Sequence, residues 1–156
     1  MKKNYRDESN RLISSLSELW PQYQCIELVA CTTLKIDPGV ILTAYNPFGV
    51  NVSRRVNQRR SLLLQYQIRR LGIDFQVVWG SSIDGCHAEF SFVLGCSLSE
   101  GLRLAKQWRQ LAVYAICSNQ LFLYDTQKEQ LPIMVGHLHR LWTVKPLYFK
   151  ALCQRF

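Results

Sequence analysis

The stretch that most constrains the fold runs from Val40 to Gly72, and it predicts a buried strand, a tight turn and a long basic helix. Residues 40–45 form a continuous apolar and β-branched run, which is typical of a strand covered on both faces. The turn residues Asn46, Pro47 and Gly49 then end this strand. Because such a strand must be covered on both sides, we expect the rest of the chain to pack around it.

The helix is predicted to begin after the N-cap residue Ser53, to extend to about Leu71 and to end at Gly72. Steps of three and four place a stripe on its inward face that is polar at the start and apolar at the end. The stripe consists of Asn57, Ser61, Leu64, Ile68 and Leu71.

The same helix carries six arginines and no acid. Four of them lie in its first half, where the helix dipole disfavours cations, so the fold alone explains them poorly. The six are Arg54, Arg55, Arg59, Arg60, Arg69 and Arg70.

The remaining segments predict five more strands and two more helices. The strands are expected over 25–33, 75–79, 86–96, 110–117 and 121–124, and the helices over 7–20 and 97–109. Pro21 is expected to stop the first helix, and Gly80, Ser81 and Ser82 to close the strand before them. This order predicts an α+β fold: a single domain with a mixed or mostly antiparallel sheet and helices packed on one face.

The strand after Cys86 has a polar face. Alternation puts Ala88, Phe90, Phe92 and Leu94 on a core face, and Glu89, Ser91 and Val93 on the other. A carboxylate and a hydroxyl therefore lie side by side along one strand.

The net charge of +8, from 19 Lys and Arg against 11 Asp and Glu, favours anionic partners such as nucleic acid, nucleotides or acidic protein surfaces. No run approaches the roughly 18 apolar residues of a membrane span, and the N-terminus lacks the apolar core of a secretory signal. Six irregularly spaced cysteines predict free buried thiols, and the three histidines complete no zinc-ligand pattern. We therefore expect a cytoplasmic protein without a membrane partner, a metal or a cofactor.

The segment from Val135 to Phe156 is aromatic and basic and contains no acid. It could form a strand and a helix that cover a sheet edge, or a surface for a partner protein. The density of its apolar residues favours the covering role.

Several short motifs occur in a fixed order, and together they resemble a known family. They are Thr43-Ala44-Tyr45-Asn46-Pro47, then Asn57, Gly80, Glu89-Phe90-Ser91 and Gln110-Leu111-Ala112. In this order the chain resembles the bacterial domain of unknown function family 3293 (DUF 3293) over roughly residues 23–125. The resemblance implies no activity.

This chain departs from the family pattern at two places. Family members often carry a Trp two residues before the Glu, where this chain has His87, and an Asn at the position of Leu111. The resemblance also suggests a division into a family core at 22–126, an N-terminal helix at 1–21 and a basic aromatic C-terminal extension at 127–156.

If the Glu89 strand neighbours the central strand, the polar positions converge beneath the N-terminus of the basic helix, a place suited to an anionic or polar ligand. Glu89 is then a ligand-orienting carboxylate or a general base, and it is the best candidate for a catalytic residue. The candidate ligand-binding residues are Asn46, Asn57, Glu89, Ser91, Gln110, Arg54 and Arg55. The alternative is a structural network in which Asn46 fixes its turn, Asn57 satisfies the loop backbone and Glu89 pairs with a helix arginine.

Three classes of function stay open. The first is a domain that binds a small molecule or nucleotide with anionic character, with or without catalysis. The second is nucleic-acid binding through helix 53–72, using Arg54, Arg55, Arg59, Arg60, Arg69 and Arg70. The third is a protein-interaction module formed by the C-terminal segment. The chain contains no G-x-S-x-G elbow, P-loop, Rossmann fingerprint or H-E-x-x-H helix, and Cys86 and His87 point to opposite faces of a strand.

Overall fold

The computed structural model describes residues 21–128 and 131–155. Eight strands in this part of the chain form one sheet, in the order β7-β6-β5-β2-β4-β3-β1-β8. The strands are β1 Ile26–Ala30, β2 Gly39–Thr43, β3 Phe75–Ser82, β4 Ala88–Leu94, β5 Ala112–Cys117, β6 Gln120–Asp125, β7 Ile133–His137 and β8 Trp142–Val144. All neighbouring pairs are antiparallel except β1 and β8.

Besides the helical residues 21–24, the described part of the chain contains four α-helices. They are α1 Arg54–Arg70, α2 Leu98–Gln107, α3 Leu138–Leu141 and α4 Pro146–Arg155. Ser53 caps α1 by accepting a hydrogen bond from the Val56 amide, and Ser97 caps α2 in the same way. Gly72, with a φ of 67°, turns the chain after α1. The predicted start of α1 and its stop at Gly72 are thus confirmed.

The sheet curls until its two edges come near each other. Eight strands at about 4.8 Å spacing would place β7 and β8 about 34 Å apart in a flat sheet. The five Cα steps from His137 to Trp142 span at most about 19 Å, and α3 occupies them. The two edges therefore cannot lie as far apart as in a flat sheet.

The sheet has two differently covered faces. The outer face carries α1 and α2, whose Leu64, Ile68 and Leu104 pack on Val40 and Phe92. Helix α4 lies on the same face, where Phe149 contributes to a cluster with Val29 and Trp79. The inner face contains a second apolar cluster, which includes Ile41, Val93 and Ile116.

These arrangements confirm the α+β class and the mostly antiparallel sheet. The expectation that helices lie on one face holds for α1, α2 and α4, but Leu138 of α3 packs in the inner cluster. The short helix lies there because it connects the two edges of a curled sheet. The C-terminal segment supplies β7 and β8 at those edges, as the covering role expects.

Two local expectations about β3 and α1 are wrong. Gly80 and Ser81 do not close β3 but continue it, because they pair with Glu89 and Ala88 of β4. Leu71 is 45% exposed, since α1 ends before it and the buried stripe stops at Ile68.

The cysteines are free as expected, but they are not buried. Cys25, Cys86, Cys117 and Cys153 are exposed, and the other two are partly exposed, because most lie at strand ends and in loops. The predicted helix over 7–20 lies outside the described residues, while residues 21–24, after the expected stop at Pro21, are helical. No helix among the described residues is long and apolar enough to cross a membrane.

Candidate functional site

A cavity of about 560 Å³ opens on the inner face of the sheet. Six of the seven predicted ligand-binding residues line it, and they come from the β2–α1 turn, α1, β4 and the segment before β5. They are Asn46, Asn57, Glu89, Ser91, Gln110 and Arg54. Arg55, the seventh, is exposed on α1 and does not line this cavity. The volume of the cavity is in the range of small-molecule sites in proteins.

Strand pairing brings the polar side chains together at the centre of the sheet. Thr43 of β2 lies opposite Ser91 of β4, so their side chains are neighbours on the inner face. Glu89, two residues earlier on the same face, lies opposite Gly80 of β3. Because Gly80 has no side chain, space remains beside the Glu89 carboxyl group.

The turn after β2 is held by two asparagines that bind each other. Asn46 has a left-handed backbone, with a φ of 44°, which Asn tolerates better than most residues. Its amide N–H donates to Asn57 Oδ1 at 2.9 Å, and Asn57 Nδ2 donates to Asn46 Oδ1 at 3.0 Å. The Val52 amide also donates to Asn46 Oδ1 at 3.3 Å. This part of the structural-network interpretation agrees with the observed contacts.

Glu89 is the one acidic residue among the described residues that line the cavity. Its Oε1 accepts a hydrogen bond from Asn46 Nδ2 at 3.0 Å. Within the described residues, ion pairs join Glu100 to Arg103 and Glu27 to Lys145, so Glu89 has no salt bridge to a helix arginine there. Burial raises the pKa of Glu89, and the Asn46 hydrogen bond and nearby His87 oppose this rise.

Three tyrosines surround this carboxyl group closely enough to respond to its charge. Burial, and secondarily Glu89, raises the pKa of both Tyr23 and Tyr45 to about 12. Burial also raises the pKa of Tyr114 well above 10, with Tyr23 and Glu89 adding to the effect. These phenols therefore stay protonated at physiological pH.

Gln110 connects the cavity wall to the turn. Its side-chain Nε2 donates to the Tyr45 backbone carbonyl at 2.8 Å, and the backbone carbonyl of Gln110 accepts from Thr126 Oγ1 at 2.5 Å. The Gln110 side chain is buried, and its bond to the Tyr45 carbonyl fixes its orientation, while the Thr126 bond holds the Gln110 backbone.

Three further lining residues were not predicted from the sequence: Thr43, Gly80 and Tyr114. Thr43 and Gly80 are present in the family motifs, and strand alternation places Thr43 on the face of Glu89 once β2 and β4 are paired. The position of Tyr114 depends on the pairing of β2 with β5, which the sequence does not determine.

The six arginines of α1 differ in their surroundings. Arg60 is fixed by the fold, since its Nε donates to the Ala44 carbonyl at 2.6 Å and its Nη2 to the Trp108 carbonyl at 2.7 Å. Arg60 also lies over the Trp108 ring. The idea that the fold does not explain the arginines in the first half of the helix is therefore wrong for Arg60. Arg54 lines the cavity, while Arg55 and Arg59 are exposed on α1.

The last two arginines of α1 pack on aromatic rings. Arg69 lies over Phe75, and Arg70 lies over Tyr66. Both side chains remain exposed. Both arginines lie in the last turn of α1, where positive charge interacts favourably with the helix dipole.

Hydrogen bonds to Asp84 hold the Asp84–Gly85 turn beside the cavity. Asp84 Oδ1 accepts hydrogen bonds from Ser82 Oγ at 2.6 Å and from the Cys86 amide at 3.0 Å. These bonds lower the pKa of Asp84, and Asp84 raises the pKa of the Cys86 thiol. Cys86 is consequently poorly suited to act as a thiolate nucleophile.

Residues 42–113 match the family model described as "Protein of unknown function (DUF3293)". The match confirms the resemblance to this family, and the matched segment extends from β2 to the start of β5. The matched segment includes Asn46, Asn57, Glu89, Ser91 and Gln110. No curated protein and no solved structure matches the chain.

Proposed function

We propose that this protein binds a small polar molecule in the inner-face cavity, with Glu89 as the group that orients it. The observation that carries the proposal is the convergence of the polar motif residues on one cavity that contains a partly buried carboxyl group. A cavity with a few convergent polar groups and an ionisable residue of perturbed pKa is the usual form of a small-molecule site.

The contacts of Glu89 support a ligand role better than a purely structural one. A structural carboxylate is normally paired or fully hydrogen-bonded, because an unpaired buried charge is costly. Glu89 has one hydrogen bond, to Oε1, among the described residues. Its Oε2 is not sealed from solvent, since the only buried side-chain N or O atom without a partner in the described part is Ser61 Oγ. A ligand in the cavity would have access to this oxygen.

The mouth of the cavity is suited to an anionic group on the ligand. Arg54 lies at the first position of α1 and lines the cavity together with Asn51 and Val52. Cations and free backbone N–H groups at a helix N-terminus favour negative charge. An acidic group here would extend from a molecule whose remaining part lies against β4.

The test is a binding screen that reports position. Wild-type protein labelled with ¹⁵N is titrated with a small-fragment collection and with fractionated cell metabolites, while the backbone amide resonances are followed. We expect at least one class of molecules to shift the amides of Glu89, Ser91 and Tyr114. The Gly80→Val variant provides the control, because a Cβ at Gly80 lies 3.9 Å from Ser91 Oγ and its methyl groups would fill the space beside Glu89. The proposal fails if no molecule shifts these amides, or if binders of the wild type bind equally well to Gly80→Val.

A further inference from the structure

Three hydroxyl groups on the cavity wall already donate their hydrogens to backbone carbonyls. Ser91 Oγ donates to the Glu89 carbonyl at 3.1 Å, and Thr43 Oγ1 donates to the Phe90 carbonyl at 2.9 Å. The Tyr114 hydroxyl donates to the Tyr23 carbonyl at 2.7 Å. A hydroxyl has one hydrogen and two lone pairs, so these three groups can offer a ligand only lone pairs.

Two side-chain oxygens add to this accepting surface. Among the described residues, no donor forms a hydrogen bond to Glu89 Oε2 or to Gln110 Oε1. The bond from Gln110 Nε2 to the Tyr45 carbonyl orients the side-chain amide. Gln110 Oε1 therefore remains able to accept a hydrogen bond from a ligand. The wall formed by β2, β4, β5 and Gln110 is therefore rich in acceptors and carries one carboxyl group.

The exposed rim has the opposite character. Arg54 and Asn51 line the cavity and are exposed, whereas Ser91 and Gln110 are buried. The cavity thus changes from donors and positive charge at its rim to acceptors at its buried wall.

We infer that the cavity selects a small molecule with a cationic nitrogen group, such as an ammonium or amidinium, which donates its hydrogens to Glu89 Oε2 and the neighbouring hydroxyl oxygens. This inference rests on the proposed function and names the ligand class for that site. An anion cannot occupy the wall without facing the Glu89 carboxylate and acceptor oxygens.

A metal ion is a poorer occupant of the same wall. Divalent calcium takes six to eight oxygen ligands and magnesium six, usually with more than one carboxylate in a protein site. The described residues contain no group of three His, Cys, Asp or Glu side chains placed to hold a metal ion. An organic cation needs only directed acceptors and one balancing charge, which this wall provides.

The experiment compares three probes of nearly equal size and shape: benzamidine, benzamide and benzoate. Each is titrated into ¹⁵N-labelled wild-type protein at pH 7, and the amide resonances of Glu89, Ser91 and Tyr114 are followed. We expect benzamidine, which is cationic at this pH, to shift these amides and to bind at least about tenfold more tightly than benzamide, because a desolvated charge pair is strengthened by exclusion of water. Benzoate should not shift them.

Two matched variants locate the charge. Glu89→Gln keeps the side-chain size and should reduce the affinity for benzamidine by about tenfold or more, to the level of benzamide. Glu100→Gln removes a carboxylate from α2, where it contacts Arg103 and does not line the cavity, and should leave the affinity unchanged.

The outcomes separate this inference from the proposed function. If benzamide or benzoate shifts the cavity amides as strongly as benzamidine, the inference is overturned while the proposal of a small-molecule site stands. Equal binding of benzamidine to wild type and Glu89→Gln also overturns it. If none of the three probes shifts the amides at millimolar concentration, the inference is wrong, and the proposed function then depends on the metabolite screen.

Discussion

Replacement of Asn57 by alanine should loosen the turn that holds Asn46 against Glu89. The substitution removes the acceptor of the Asn46 amide and the donor to Asn46 Oδ1. A part-buried amide left without a partner costs about 1–2 kcal/mol, and loss of the second bond about 0.5–1 kcal/mol, because Val52 still donates to the same oxygen. The higher helix propensity of alanine returns about 0.5 kcal/mol.

The expected net destabilisation is about 1–2.5 kcal/mol in the free energy of unfolding. For a chain of this size, this corresponds to a melting temperature roughly 5 °C lower. Urea denaturation followed by circular dichroism measures the free energy, and a thermal scan gives the second value. Gln58→Ala is the matched control, since Gln58 is exposed on the same helix, and its change should stay within about 0.5 kcal/mol.

The Asn57→Asp variant sharpens the test. Aspartate keeps an oxygen for the Asn46 amide but cannot donate to Asn46 Oδ1, and it adds a charge in the same buried cluster as Glu89. We expect the stability of Asn57→Asp relative to the wild type to fall as pH rises through the carboxylate range, whereas the difference between Asn57→Ala and the wild type should change little with pH. If Asn57→Ala is no more destabilising than Gln58→Ala, the asparagine pair does not hold the turn, and the reasoning is refuted.

Three further predictions concern the site and its support. Burial raises the folded-state pKa of Glu89 above its ordinary value of 4.5. The wild type should therefore lose stability as pH rises from about 4.5 through the folded-state pKa. In urea titrations, the free energy of unfolding of Glu89→Gln should equal that of the wild type at low pH and exceed it at pH 7. A stability difference that does not change with pH would contradict this. Arg60→Lys should lower the free energy of unfolding by about 1–3 kcal/mol, because one ammonium cannot reproduce the bonds from two guanidinium nitrogens. Arg59→Lys should leave the free energy of unfolding unchanged in the same assay. Gly101→Ala would place a Cβ 2.7 Å from a Val40 methyl carbon. This clash should lower the free energy of unfolding by about 1–3 kcal/mol, although alanine has the better helix propensity. An unchanged melting temperature would contradict this and would mean that α2 moves away from Val40 at no cost.

The strand, turn and helix of residues 40–72 could be predicted because their signals are local. The β-branched run, the capping serine and the glycine stop each act within a few residues, and the helical stripe correctly indicated a buried Asn57. The polar face of β4 followed from simple alternation.

The contents of the cavity depended on contacts that sequence spacing does not determine. Tyr114 and Thr43 reach the same space only because β2 lies between β4 and β5. The role of Arg60 was missed for a related reason, since its carbonyl partners belong to residues 16 and 48 positions away. Local patterns state which face a side chain occupies but not which distant group lies beside it.

The parallel pairing of β8 with β1 has a consequence for the order of folding during synthesis. Leu28 lies opposite Trp142, so one side of β1 has no neighbour until more than a hundred further residues have been made. Leu28, Val29 and Ala30 are fully buried in the finished protein, and an unpaired strand of this composition invites association with other chains. The nascent chain must therefore keep an apolar strand edge open on the ribosome until residues 142–144 emerge and pair with it.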